Sequence, residues 1–337
     1  TASAGNHAQG VALAATRAGV DSKIVMPEHA PVSKVKATER YGGEAILHGQ
    51  DYSDAQTEAH RIERAEGRTY VHAFDDEMVM AGQGTIGLEI VEDCPEVEAV
   101  IVPIGGEGLI SGIAAAVKAS DPDVRVIGVQ AEGASSAAES LRKGEIYERE
   151  SVETAEDGLG ARRIGGGTGE VSRERVDEVV TVDDESIAIA LTYLLEREKA
   201  LAEGAGAISL AALLSGAIEY EEGEVIVPAL CGGNIDLNML TTVVMRGVGA
   251  TGRYLRFRTI LKDQPGALVE LGQIIADLRA NITAFHHDRT SRDVAMNDAR
   301  VELEVETRGP EHVDELLSTL RAEGYEVEIV NGYQMSV

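Results

Sequence analysis

The strongest constraint in this sequence is an alternation. Through residues 1–240, short runs of apolar, largely β-branched residues recur between longer amphipathic stretches. The runs Ser22–Met26, Ala45–Leu47, Val97–Pro103, Val124–Gln130 and Glu224–Ala229 are predicted strands. The stretches Val11–Arg17, Asp51–Ala65, Leu109–Ala119 and Glu185–Leu201 are predicted helices. Strands alternating with helices imply βαβ units around a mostly parallel sheet, an α/β architecture. Ala99-Val100-Ile101-Val102 and Val225-Ile226-Val227 are apolar without alternation, which fits strands covered on both faces. Gly144–Glu174 is polar and irregular, and a long loop or crossing is expected there.

The pattern changes near residue 246. Gly247, Gly249 and Gly252, with few apolar neighbours, predict a linker over 246–252 between regions 1–245 and 253–337. Beyond it come strand Arg256–Leu261, helix Ala267–Leu278, strand Asn281–Arg289, strand Asp298–Glu306, helix Pro310–Ala322 and strand Tyr325–Val330. That order, βαββαβ, is the ferredoxin-like α+β plan.

Charge excludes some functions. Thirty basic against 58 acidic residues give a net charge of −28, and only seven of the basic residues are Lys. Phosphate-backbone binding needs clustered Lys and Arg, so a nucleic-acid partner is not expected. The acidity is spread along the chain, as on a solvated surface, and with few Lys and aromatics it reads as a halophile-type cytoplasmic protein. No apolar run reaches the roughly 18 residues a membrane-spanning helix needs, and no signal peptide is evident. Cys94 and Cys231 do not make a disulfide framework.

Three motifs carry chemistry. Thr1-Ala2-Ser3-Ala4-Gly5-Asn6-His7-Ala8-Gln9-Gly10 gathers Ser, Gly and Asn immediately before a helix. Backbone N–H groups at a helix start bind anions, and a small substrate carboxylate suits them; the plain alternative is an ordinary cap. Pro103-Ile104-Gly105-Gly106-Glu107-Gly108-Leu109 follows a strand and opens a helix, the setting in which a glycine turn presents N–H groups to phosphate. It lacks the Lys-Ser/Thr of a P-loop and the acidic follow-up of a dinucleotide fingerprint. Leu230-Cys231-Gly232-Gly233-Asn234 again follows a strand, at the sheet edge where α/β proteins place ligands. Cys231 by itself reads equally as a buried structural residue.

Together these motifs resemble pyridoxal-phosphate enzymes of the tryptophan-synthase-β type, and within them the threonine dehydratases (threonine ammonia-lyases). Ser3–Ala12, Ala81–Ile90 (AGQGTIGLEI), the glycine loop, Glu203–Ala207 (EGAGA) and CGGNID carry the resemblance, with Phe74-Asp75-Asp76 before the AGQGT helix. The tail resembles an ACT domain, an amino-acid-binding regulatory module, through Asp263-Gln264-Pro265-Gly266-Ala267-Leu268.

The resemblance implies a fold and a set of roles. Residues 1–245 would form the pyridoxal-phosphate-dependent catalytic region, and 253–337 the ACT regulatory domain. Asn6 would bond the cofactor's ring hydroxyl. Gly105, Gly106, Glu107, Gly108 and Leu109 would hold its phosphate, and Cys231 would face its pyridine nitrogen. Ser3, Gly5 and His7 would line the substrate carboxylate, with Phe74 at the ring pocket. Glu203 would open a helix beside the cofactor. Asp263, Gly266, Ala267 and Leu268 would bind an amino-acid effector. The implied reaction is deamination of L-threonine to 2-oxobutanoate and ammonia, in isoleucine biosynthesis or threonine catabolism, in a homo-oligomer (dimer or tetramer). The alternatives are an L-serine-preferring dehydratase and a catalytically dead amino-acid-binding relative.

Three departures stand out. The family's Schiff-base Lys precedes the SAGNH motif, and none of the seven Lys here has a matching context. The sequence therefore reads as an N-terminally truncated fragment, expected to be inactive alone. Glu107 stands where the family has Gly, setting a carboxylate beside a phosphate. Ala4 replaces the second acid/base Ser of related serine racemases, and Ala cannot transfer a proton. The racemases' acidic metal site aligns with Ala131–Ala138, where only Glu132 is a carboxylate, so no metal is expected. His286 and His287 point to opposite faces of a strand and make no shared site.

Overall fold

A computed structural model describes residues 1–149, 163–290 and 294–332 of the chain. The chain divides into two compact units, Thr1–Ala190 with Glu198–Asp236, and Leu191–Arg197 with the chain from Leu237 onward.

The first unit runs α1 (Asn6–Ala18), β1 (Lys23–Met26), α2 (Val32–Arg40), β2 (Glu44–Leu47), α3 (Tyr52–Glu66), α4 (Glu77–Asp93), β3 (Ala99–Pro103), α5 (Gly108–Ser120), β4 (Arg125–Ala131), α6 (Ser136–Lys143), α7 (Gly166–Arg175), β5 (Glu178–Val182), α8 (Asp184–Tyr193), α9 (Gly204–Leu214) and β6 (Ile226–Pro228). Strands β5-β4-β3-β6 form one sheet in that order, and every pair is parallel. β1 and β2 pair in parallel separately, and Ala2 bridges Val25 beside them. The sheet is parallel because helical crossovers return each strand in the same direction.

β3 is buried along its whole length, as its unbroken apolar run requires. Ile101 is fully enclosed, and burying a side chain of that size stabilises by about 1.5–3 kcal/mol. The AGQGTIG helix, α4, lies hard against α5. A Cβ on Gly112 of α5 would come within 2.7 Å of the Gly84 nitrogen, so glycine sets this crossing.

Three expectations change. Glu185–Leu201 is not one regular α-helix: α8 ends at Tyr193, the chain continues directly as a π-helix over Leu194–Glu198, and 199–201 leave the helix. Helix-favouring Glu, Arg and Lys make that segment read as continuous helix. Within Gly144–Glu174, α7 begins at Gly166, while 150–162 lie outside the described residues. The segment expected as a linker is helical as far as Ala250, in α10 (Leu237–Ala250) of the second unit.

The second unit continues with β7 (Tyr254–Lys262), α11 (Ala267–Asp277), β8 (Asn281–Asp288), β9 (Asp298–Glu306), α12 (Pro310–Ala322) and β10 (Glu328–Gly332). Its sheet order is β10-β7-β9-β8, antiparallel throughout, the βαββαβ plan read from the sequence. Leu255, Phe257, Val301, Leu303, Val305, Leu316 and Leu320 form its core. The opposite face carries ion pairs from Arg256 and Arg258 to Glu302 across the β7–β9 register.

Candidate functional site

Each of the three motifs leaves the carboxyl end of extended chain in parallel pairing. Thr1–Ser3 runs beside β1, with the Ser3 N–H donating to the Val25 carbonyl at 3.1 Å, and α1 begins at Asn6. The glycine turn follows β3, and the Cys231 turn follows β6, the neighbour of β3. The Ala229 N–H donates to the Ile101 carbonyl at 2.8 Å and fixes where the Cys231 turn starts.

Asn6 and the Cys231 turn meet through Glu203. The Asn6 amide donates to Glu203 Oε1 at 2.6 Å. Glu203, buried at the N-cap of α9, donates its N–H to the Gly232 carbonyl at 3.2 Å. A Cβ on Gly206 would overlap the carbonyl oxygens of Cys231 and Gly232, so the first turn of α9 presses on that loop. Gly232, at φ 90°, takes a left-handed backbone, and a Cβ there would run into the Glu203 carboxylate. Burial pushes the Cys231 thiol up to about 11, with the nearby Glu203 charge adding to it. Cys231 therefore carries a neutral S–H at physiological pH.

The glycine turn supplies backbone donors. Among the described residues, the N–H groups of Gly105, Gly106, Glu107, Gly108 and Leu109 have no hydrogen-bond acceptor. They lie where α5 begins, which favours an anion. Phe74 covers the turn: a Cβ on Gly106 would overlap its ring, and one on Gly108 would come 2.8 Å from its Cβ. The Phe74 ring stands edge-on to His72, centroids 4.8 Å apart. His72 Nδ1 accepts from the Asp75 N–H at 2.8 Å, so its proton is on Nε2.

Glu107 holds a left-handed backbone, φ 71°, that favours glycine. Its side chain is 5% exposed, and Oε2 has no hydrogen-bond partner. The carboxylate lines a small cavity with Ser140, Ile164, Gly169, Ser172 and Arg173. Burial pushes it up to about 7, while the Ser172 hydroxyl and the Arg173 charge pull the other way and Asp75 adds to the rise.

Ser3 and His7 bond within their own segment. Ser3 Oγ accepts from the Gly5 N–H at 3.2 Å, and His7 Nε2 lies 3.0 Å from Thr1 Oγ1. Burial lowers His7 to about 4, which leaves it neutral. In the second unit, Asp263 pairs with Arg289 at 2.7 Å, Gly266 caps α11 at φ 100°, and Ala267 and Leu268 open that helix.

Sequence reasoning missed Asp75 and Thr168. Asp76 caps α4 through the Met78 and Val79 N–H groups, whereas Asp75 turns away to α7 and accepts from the Gly166 and Thr168 N–H groups at 3.0 and 2.9 Å. The doubled acid was the available signal, since one helix start needs only one cap.

Backbone donors without acceptors at the start of α5, at the strand ends of an α/β fold, suit a bound anionic group, with the Asn6 amide and the neutral Cys231 thiol as further polar groups. The chain belongs to the family of pyridoxal-phosphate dependent enzymes, whose model matches residues 1–232. It is 47% identical over 330 residues to an L-threonine ammonia-lyase of Geobacter sulfurreducens, covering 98% of this chain and 82% of that one. Among solved structures it resembles processed threonine deaminase isoform 2 of Solanum lycopersicum (TM-score 0.69, 36% identity, 73% of this chain and 68% of that one). It also resembles maize serine racemase (TM-score 0.69, 37% identity, 73% and 76%). The protein is thus pyridoxal-phosphate dependent, and the partnerless donors of Gly105–Leu109 fit the cofactor's phosphate.

Proposed function

We propose that this chain acts as a threonine ammonia-lyase, converting L-threonine to 2-oxobutanoate and ammonia by α,β-elimination. The observation that carries this reading is the Asn6–Glu203–Cys231 group beside a phosphate-binding turn, in a chain whose relatives include enzymes named for threonine deamination. Bound pyridoxal phosphate supplies an electron sink for the substrate's α-carbon.

The side chains steer that chemistry. Gly105–Leu109 hold the phosphate by backbone N–H groups. Asn6, oriented by Glu203, offers its amide to the ring hydroxyl. Cys231 faces the ring nitrogen with a thiol that stays protonated, so it cannot hold a proton on that nitrogen as a carboxylate would. A bound ring whose nitrogen stays unprotonated would take up less negative charge, a setting that would favour loss of the β-hydroxyl over transamination. Ser3, Gly5 and His7 line the substrate carboxylate, and Phe74 walls the ring pocket. Ala4 offers no proton to the opposite face, which disfavours racemisation.

None of the seven lysines here stands in a context that matches the family's Schiff-base lysine. Lys23, Lys118, Lys143 and Lys262 are engaged in ion pairs with Glu66, Asp177, Glu139 and Asp298. The 337 residues alone should therefore bind cofactor non-covalently and turn over little. The βαββαβ unit supports an ACT reading, with an amino-acid effector at Asp263, Gly266, Ala267 and Leu268. A homo-oligomer working in a salt-rich cytoplasm completes the proposal, and the acidic surface supports the salt. The test is 2-oxo acid release from L-threonine and L-serine by a form carrying the lysine-bearing segment. Faster turnover of serine would favour the serine dehydratase reading, and none on either would favour the catalytically dead relative.

A further inference from the structure

We propose that Thr168, clamped by Asp75, is a positioning residue for the phosphate turn: it sets the direction of the Glu107 N–H by holding the opposite end of the same peptide. Thr168 is fully buried and lies in the first turn of α7. Its hydroxyl donates to the Gly106 carbonyl at 3.2 Å. The described chain has no cis peptide, so the Gly106 carbonyl and the Glu107 N–H point in opposite directions. Pinning the carbonyl toward Thr168 therefore turns the Glu107 N–H away from Thr168.

Thr168 is itself held from both ends. Asp75 Oδ1 accepts its N–H at 2.9 Å, and the Ser111 hydroxyl donates to its carbonyl at 3.0 Å. Asp75 Oδ2 accepts the Gly166 N–H at 3.0 Å, so one carboxylate caps α7 from a segment about ninety positions earlier. Phe74, next to Asp75, presses on Gly106 and Gly108. A single dipeptide, Phe74-Asp75, thus braces the turn through its ring and through Thr168. The arrangement also suits the left-handed backbone of Glu107. Without the Thr168 bond that peptide could rotate and lose one aligned donor.

The test compares pyridoxal phosphate with pyridoxal, which lacks the phosphate, on the 337-residue apoprotein by fluorescence titration. One preorganised hydrogen bond is worth roughly tenfold in affinity. Thr168→Val should weaken pyridoxal phosphate by about that factor and leave pyridoxal unchanged, and Thr168→Ser should restore wild-type affinity. The 31P resonance of the bound cofactor should move in Thr168→Val and return in Thr168→Ser. Equal losses for both ligands, or no loss for either, would overturn the assignment and leave Thr168 a scaffold residue. Should Thr168→Val not fold, Asp75→Asn reads the same linkage, with the same selective loss expected and the same equal loss refuting it. The inference rests on the family's cofactor and not on threonine as substrate. Wild-type protein that bound neither ligand would strike the cofactor reading instead.

Discussion

Burying a carboxyl group of an acid that is ionised in the unfolded chain has a measurable cost, and Glu107 is where this protein bears it. Its carboxyl rises from 4.5 to about 7 in the folded state, first through burial. Between those pH values the folded protein keeps a proton that the unfolded chain releases, so stability falls as pH rises from 4.5 to 7 and then levels off. At roughly 1.4 kcal/mol per pH unit, the loss is about 3 kcal/mol. With 5% of the side chain exposed, little solvent screening reduces it. Glu107→Gln keeps the shape and the left-handed backbone but removes the charge. Urea denaturation of both apoproteins from pH 4.5 to 8.5 should show equal stability at the acid end and a variant about 3 kcal/mol more stable above pH 7. Acidic groups elsewhere titrate alike in both proteins, so the difference isolates Glu107. A gap that does not change with pH, or a less stable variant at pH 8, would refute the reasoning. The carboxylate points into the cavity lined by Ser140, Ile164 and Ser172, so Glu107→Gly should change cofactor affinity little, and a large gain in affinity would show that the charge acts on the phosphate.

Other residues can be tested in the same way. Cys231→Ser should keep the elimination reaction, whereas Cys231→Asp, which can ionise at the ring nitrogen, should lower the ratio of 2-oxo acid release to transamination; the two product assays read this directly. Gly206→Ala puts a methyl against the Cys231 and Gly232 carbonyls and should weaken cofactor binding several-fold while the far-ultraviolet circular dichroism is unchanged. Ile101→Ala in the enclosed strand β3 should cost about 2–5 kcal/mol in urea denaturation. Molar potassium chloride should raise the melting temperature, because it screens the repulsion among charges that sum to −28.

The sequence was most legible where one local rule governs a segment. Ala99–Val102 read as a strand covered on both faces because such enclosure leaves an unbroken apolar run, and β3 is buried throughout; Val225–Val227 carried the same signal, yet β6 is the half-buried edge of the sheet. β5 escaped notice because it lies at the sheet edge and is mostly half-buried, with no strong period. α7 was hidden for a different reason. It lies in the polar, irregular stretch Gly144–Glu174, and its start is capped by Asp75, which no local pattern could reveal. Gly247 and Gly249 suggested a linker, yet α10 runs through both as far as Ala250.

The site divides along the same line. Asn6, the Gly105–Leu109 turn and Cys231 stood out because each sits in a compact motif after a strand. The bonds that connect them do not follow from any spacing. Asn6 reaches Glu203 across 197 positions, and Thr168 reaches Gly106 across 62. Motif reading thus finds the groups that face a ligand, and only the folded chain shows what holds them in place.

The most direct measurement is a crystal structure of the protein with pyridoxal phosphate. The account predicts the phosphate on the N–H groups of Gly105–Leu109, the ring hydroxyl at the Asn6 amide and the ring nitrogen opposite the Cys231 sulfur. A phosphate bound away from that turn, or a ring touching neither Asn6 nor Cys231, would contradict it.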